Sequence, residues 1–227
     1  MATSSIEVVA INVGLPQTRV YDGEEIYTSI YKDPIDAPVY LSNVNFAGDG
    51  QGDLVHHGGL EKAVNVYCQE HYAYWEQELG QDIGLAAFGE NLTVRGLPEE
   101  DVYIGDTFQL GEAVVQVCQP RIPCDKLNKK HGVPDLVARV RQTGYSGYYL
   151  RVLQEGTVAP GDTLVPLERD PHGVTVMYAN NVFYHDTENV EALHRILAVE
   201  ALAEVWQGIV KRRLAQLEEQ KDAGEEA

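Results

Sequence analysis

Residues Ala113 to Asn128 read A-V-V-Q-V-C-Q-P-R-I-P-C-D-K-L-N. The first seven form an apolar run broken by Gln116, the pattern of a mostly buried strand, and Pro120 ends it because proline has no N–H to donate to a ladder. Cys124 therefore falls on the loop at a strand's end, where site residues commonly sit. Pro120 and Pro123 stiffen that loop, and Arg121 and Lys126 bring positive charge to either side of the sulfur, which favours its thiolate. These residues leave two readings of Cys124 open, an inert small hydrophobe or a reactive or ligating thiolate. The flanking cations and prolines favour the second.

The segments on either side are also rich in strands. Upstream, Leu97 to Gly111 predicts turn, strand, turn, strand, and Val64 to Cys68 predicts a strand. Between them, Gln69 to Gly80 predicts a helix with Tyr72, Trp75 and Leu79 on one face and Gly80 as its stop, leaving His71 and Tyr74 at the surface or rim. Further upstream, Ile6 to Val13, Glu24 to Tyr31 and Pro38 to Leu41 are short β-rich pieces separated by turn residues. Downstream, Gly132 to Gly144 predicts a short amphipathic helix, with Pro134 at its start and Gly144 just past its end. Tyr145 to Leu167 predicts two strands around a Glu155-Gly156 turn. The sum is a mainly β, α+β architecture of short hairpins in a barrel or sandwich, with a few short helices.

Two loops carry further candidate site residues. Asn45 to Val64 is the most glycine-dense part of the chain, and Gly58 and Gly59 stand between His57 and Lys62. Such glycines allow positive φ and close backbone approach, so the segment can form a nest of N–H groups for an anion with Lys62 supplying charge. Asp49, Asp53, His56 and His57 are alternative metal ligands, although their spacing fits neither an EF-hand loop nor H-x-x-x-H. In A-F-G-E-N-L-T-V (Ala87 to Val94), Gly89 precedes Glu90, a candidate acid or base, and Asn91, a candidate for orienting a ligand. The plain reading of both is a long loop and a turn.

The pattern changes near Pro171. Beyond it come a short helical segment at Val174 to Asn181, a helix capped by Thr187, and a last helix bearing Leu202, Val205, Trp206, Ile209, Val210, Leu214 and Leu217. This divides the chain into residues 1–170, the β domain, and 171–227, a three-helix domain ending in a solvated, fraying acidic tail. Three helices in about 50 residues make too small a core to stand alone, so they are expected to pack on the β domain.

With 35 acidic and 17 basic residues the formal charge is −18, which disfavours broad binding to nucleic acid or an anionic membrane. Any anionic ligand needs a local cluster of cations. The three cysteines, Cys68, Cys118 and Cys124, include no C-x-x-C and fit a reduced cytoplasmic setting. Neither a signal peptide nor a run of about 18 apolar residues is present.

Taken together, G-D-G-Q-G-D-L-V-H-H-G-G-L-E-K-A-V, A-F-G-E-N-L, Y-I-G-D, Q-V-C-Q-P-R-I-P-C-D-K-L-N and S-G-Y-Y-L-R-V-L-Q-E-G resemble, in order and rough spacing, the MOSC-domain proteins. Within that family the resemblance is to the bacterial YiiM-like group linked to resistance against 6-N-hydroxylaminopurine, which carries a C-terminal three-helix extension. It implies a MOSC-type β-barrel that binds the molybdenum cofactor, a pterin dithiolene bearing a phosphate. Cys124 matches the family cysteine thought to ligate molybdenum, a soft sulfur suited to that metal. His57, Gly58, Gly59 and Lys62 match the H-G-G block and are candidates for holding pterin or phosphate. Gly89, Asn91, Arg121, Lys126 and Asn128 are placed as further contacts. Because His56 stands beside His57, either could face the site.

The implied chemistry is reduction of N-hydroxylated bases, with molybdenum passing between Mo(IV) and Mo(VI), protons from His57 or Glu90, and electrons from a separate flavin-type reductase. The alternatives are a carrier or insertion factor for the cofactor and a metal-free persulfide carrier on Cys124. Three roles are open to the extension: covering the barrel mouth, forming a homodimer interface or docking the electron donor.

Overall fold

The computed structural model describes residues 6–225, apart from the side chains of Val55, His56, Gly224 and Glu225. Its strands are β1 (Ile6–Val13), β2 (Gln17–Tyr21), β3 (Glu24–Thr28), β4 (Asp33–Pro34), β5 (Val39–Leu41), β6 (Val64–Cys68), β7 (Leu92–Arg95), β8 (Thr107–Leu110), β9 (Ala113–Pro120), β10 (Tyr148–Gln154), β11 (Gly156–Val158) and β12 (Thr163–Glu168). The helices are α1 (Leu54–His57), α2 (Tyr72–Leu79), α3 (Lys126–His131), α4 (Leu136–Thr143), α5 (Val176–Tyr184), α6 (Val190–Leu197) and α7 (Glu204–Glu225). Seven strands close a barrel in the order β12, β8, β9, β10, β6, β7, β1, with β1 pairing back onto β12. The β6–β7 pair is parallel and the other pairs around the ring are antiparallel.

Local chemistry explains most elements. Asp22 and Gly23 both take positive φ, the twist that a tight hairpin turn needs, and join β2 to β3 in a two-stranded ribbon apart from the barrel. Gly80, Gly132 and Gly144 stop α2, α3 and α4 in the left-handed conformation. Thr175 caps α5 by accepting from Tyr178 N. Asn189, rather than Thr187, caps α6 by accepting from Ala192 N.

Other expectations need correction. Residues 97–111 contribute one strand, β8, instead of two, and the 145–167 segment folds as three strands. The cysteine loop runs at once into α3, and the glycine-rich loop contains α1 and a 3-10 turn at Leu60–Lys62. His71 is buried, bonded to Glu99 at 2.6 Å and stacked on Tyr145 at 3.8 Å between ring centres, because α2 presses that side inward. The acidic segment continues α7 to Glu225, with residues 218–223 exposed to solvent, while Glu226 lies outside the described residues.

One apolar cluster runs from the barrel (Ile11, Val66, Val117, Leu150) into the extension (Val176, Ile196, Trp206, Val210). The start of α7 is also hydrogen-bonded to the barrel. Ala203 N donates to Cys118 O at 2.9 Å, Glu204 N to Glu61 Oε2 at 3.0 Å, and Trp206 Nε1 to Pro120 O at 3.1 Å. The extension thus sits directly on the strand that leads into the cysteine loop.

Candidate functional site

A two-lobed cleft opens where the cysteine loop, the glycine-rich loop and the G-E-N loop meet. The inner lobe encloses about 580 Å³, its open mouth included, and is lined by Lys32, Lys62, Arg121 and Lys126, with Asp49 and Asp53 as its acids. The outer lobe is lined by Gln119, Ile122, Pro123, Asp125 and Val205. Asp53, His57, Lys62, Cys124, Lys126 and Tyr149 belong to both. Cys124 is half-buried on that shared wall, whereas Cys68 and Cys118 are buried and their thiols are pushed up by burial, Cys118 to about 12. Only Cys124 has the exposure a ligand or nucleophile requires.

Each lining side chain has a local cause. Pro120 closes β9, and Arg121 turns inward with its N–H donating to Gly147 O at 3.0 Å. Arg121 is only 5% exposed, yet its Nη1 makes no hydrogen bond among the described residues. Asn65, the polar residue within the apolar strand β6, likewise leaves Oδ1 unpartnered, while its Nδ2 donates to Gly89 O at 3.3 Å. An unpaired buried polar group costs about 1–3 kcal/mol, and more when charged, so both atoms call for a ligand.

Behind them lies a satisfied polar network. Asp49 Oδ1 accepts from Gly14 N at 2.9 Å and from the Lys32 ammonium, and Asp49 Oδ2 accepts from Asn91 Nδ2 at 2.8 Å. Asn91 Oδ1 accepts in turn from Asn65 N at 3.1 Å. Asn91 lines the cavity but is committed to this network, so it holds the loops in place.

Gly89 takes φ 72° and passes so close to Ile30 that a side chain would collide with it. Gly59 takes φ 101° and opens the turn that presents Lys62. Gly58 packs against the Leu54 backbone. These two glycines shape the loop without lining the cleft. Glu90 and Asn128 are not brought to it either. Glu90 is fully buried and accepts from Tyr72, from Phe88 N at 3.0 Å and from Thr93 at 3.0 Å. Asn128 ties α3 to α4 through Pro134 O and Val137 N, each at 2.7 Å. The side chain of His56 lies outside the described residues.

The electrostatics follow from this crowding of cations. His57 is lowered to about 4, first by burial and then by Lys126, Arg121 and Lys62, so its imidazole is neutral at pH 7. Burial lowers Lys32 more than Asp49 restores it. A molecule of charge −18 thus concentrates four cations around one cavity. Lys32, Asn65, Gln119 and Tyr149 were not singled out in the sequence, although Asn65 is polar within V-N-V-Y-C and Gln119 and Tyr149 lie inside the motifs that carry the resemblance. Among the described residues no three His, Cys, Asp or Glu are grouped to hold a metal ion.

A MOSC domain model matches residues 53–165, and a YiiM-like, 3-alpha helix domain model matches residues 174–217. YflK of Bacillus subtilis (strain 168) is 54% identical, over 91% of this chain and 93% of that protein. The crystal structure of YiiM from Geobacillus stearothermophilus superposes with a TM-score of 0.78 at 38% identity, covering 92% of this chain and 99% of that one. A Gibberella moniliformis (strain M3125 / FGSC 7600) protein named "Reductase" is 40% identical over 65% of this chain, which spans 27% of its length.

Proposed function

This chain belongs to the MOSC-domain family and carries the YiiM-like helical extension, and from that premise we propose that it is a molybdenum-cofactor-dependent oxidoreductase reducing N-hydroxylated compounds, base hydroxylamines among them. The observation that carries this reading is the convergence in one cleft of the half-buried Cys124, four cations and two unpartnered buried polar atoms. The donor set fits the group. Lys32, Lys62, Arg121 and Lys126 suit a phosphate, Arg121 Nη1 and Asn65 Oδ1 offer a donor and an acceptor to a heterocycle, and Cys124 offers sulfur to the metal.

When bound, the cofactor supplies a two-electron, oxygen-accepting centre that no side chain provides. Reduction of R–NHOH to R–NH2 and water breaks the N–O bond and consumes two electrons and two protons. The electrons come from a separate flavin-type reductase. The two protons come from solvent water through the open mouth of the cleft, and the chain's own part is to hold and orient the reactants. His57, neutral at pH 7, acts by donating a hydrogen bond, and it lines both lobes of the cleft, as Cys124 does. Glu90 is bound to three donors away from the cleft, so in this mechanism it braces the loop.

The test is molybdenum by elemental analysis and pterin fluorescence on the native protein beside Cys124→Ala, followed by turnover of 6-N-hydroxylaminopurine with an artificial reductant. Metal and pterin in the first, metal lost in the second and aminopurine formed by the first support the reading. Cofactor bound without turnover points to a carrier. No cofactor from a competent host overturns it.

A further inference from the structure

Val205 stands in the first turn of α7 and lines the outer lobe together with Ile122 and Pro123. It is an apolar residue left 47% exposed next to exposed Glu204, while Ala203 and Trp206 are fully buried. Those neighbours are not free to move. Ala203, Glu204 and Trp206 each donate a hydrogen bond to the barrel, the first and last of them to the strand that enters the cysteine loop. Glu61, which accepts from Glu204 N, is itself held by Arg151 at 2.8 Å, and its carbonyl accepts from Gln119 Nε2 at 2.9 Å. Val205 is thus fixed at the edge of a chamber that contains Cys124, and the helical unit completes a wall that the barrel leaves open.

We propose that Val205 is a specificity-determining residue: the extension uses it to set the size of molecule that reaches Cys124 through the outer lobe. A branched, rigid side chain suits the task because it has few rotamers through which to yield. The inference takes from the proposed function only that Cys124 is the reactive centre, and it is testable without turnover.

The experiment measures alkylation rates of Cys124 in full-length protein made in a molybdopterin-deficient host, using iodoacetamide and a pyrene-bearing maleimide. Cys68 and Cys118 are buried, so peptide mapping isolates the Cys124 signal. Val205→Trp is expected to slow the bulky reagent about tenfold or more and the small one by less than about threefold, the steric cost of overfilling a site. Val205→Ala, which removes bulk from a half-exposed position, is expected to speed the bulky reagent. An unchanged ratio of the two rates in both variants overturns the proposal, as does a wild-type Cys124 that neither reagent reaches. With loaded protein, Val205→Trp should raise KM for aromatic hydroxylamines and leave that for hydroxylamine itself unchanged. If alkylation responds but wild type turns over nothing, the reductase reading fails and the size gate stands.

Discussion

The imidazole of His57 faces Lys62, Arg121 and Lys126, and burial together with these charges lowers it to about 4. An NMR titration should therefore find His57 releasing its proton near pH 4, and inorganic phosphate should move that midpoint upward by neutralising the cations. A midpoint above 6 without phosphate would mean that the imidazole is neither buried nor crowded by these cations. Between the unfolded value of 6.5 and the folded value of about 4 the unfolded chain binds more protons, so this residue makes stability fall as pH drops through that window. Asp49 offers a second test at this scale. Its partner Lys32 is buried, and Asp49→Ala strands that ammonium, which should cost about 3–5 kcal/mol in urea unfolding. Converting both residues to apolar ones of similar size removes the stranded charge and should cost less, with the donors of Gly14 and Asn91 left unpaired in both variants. A small loss in the single variant would show that the Lys32 ammonium escapes to water.

Among the elements, the link between the loop at Gly147 and strand β10 (Tyr148–Gln154) governs the site from outside it. Gly147 takes φ 73°, and a Cβ added there would collide with the Val66 carbonyl oxygen. Its N–H donates to Glu99 at 2.7 Å and its carbonyl receives Arg121 N at 3.0 Å. Gly147→Ala should destabilise the fold by roughly 1–3 kcal/mol and weaken phosphate binding with it, since Arg121 loses its backbone anchor. Thermal melts and calorimetry on the same sample check both. At the start of α7, Trp206→Phe removes one buried hydrogen bond to Pro120 O and should cost about 1–2 kcal/mol, read from urea unfolding. Elements bounded by glycines and prolines were legible in the sequence, because those residues act through their own backbone. Strand β2 was not, since Q-T-R-V-Y gains its partner only through the Asp22-Gly23 turn. Helix α3, K-L-N-K-K-H, was hidden too, for it buries Leu127 alone.

For the whole molecule, barrel and extension share one apolar core. Removing residues 171–227 uncovers the surface that Val176, Ile196, Trp206 and Val210 occupy, so the remaining barrel is expected to aggregate or to bind a hydrophobic dye. A monomeric barrel melting as cooperatively as the full chain would show instead two independent units. None of the described helices is long and apolar enough to cross a membrane. By itself the sequence determined the β-rich class, the helical extension and the stiffness and positive charge of the cysteine loop, because alternation, punctuation and charge are local properties of the chain. It also pointed to nine residues that line the cleft: Cys124, His57, Lys62, Gly89, Asn91, Arg121, Lys126, Asp49 and Asp53. Only the tertiary structure decided that Glu90 turns inward to Tyr72 and Thr93, that Lys32 and Asn65 join the site, and that Val205 walls its outer lobe. Those outcomes depend on which segments barrel closure brings side by side, and no single segment carries that information.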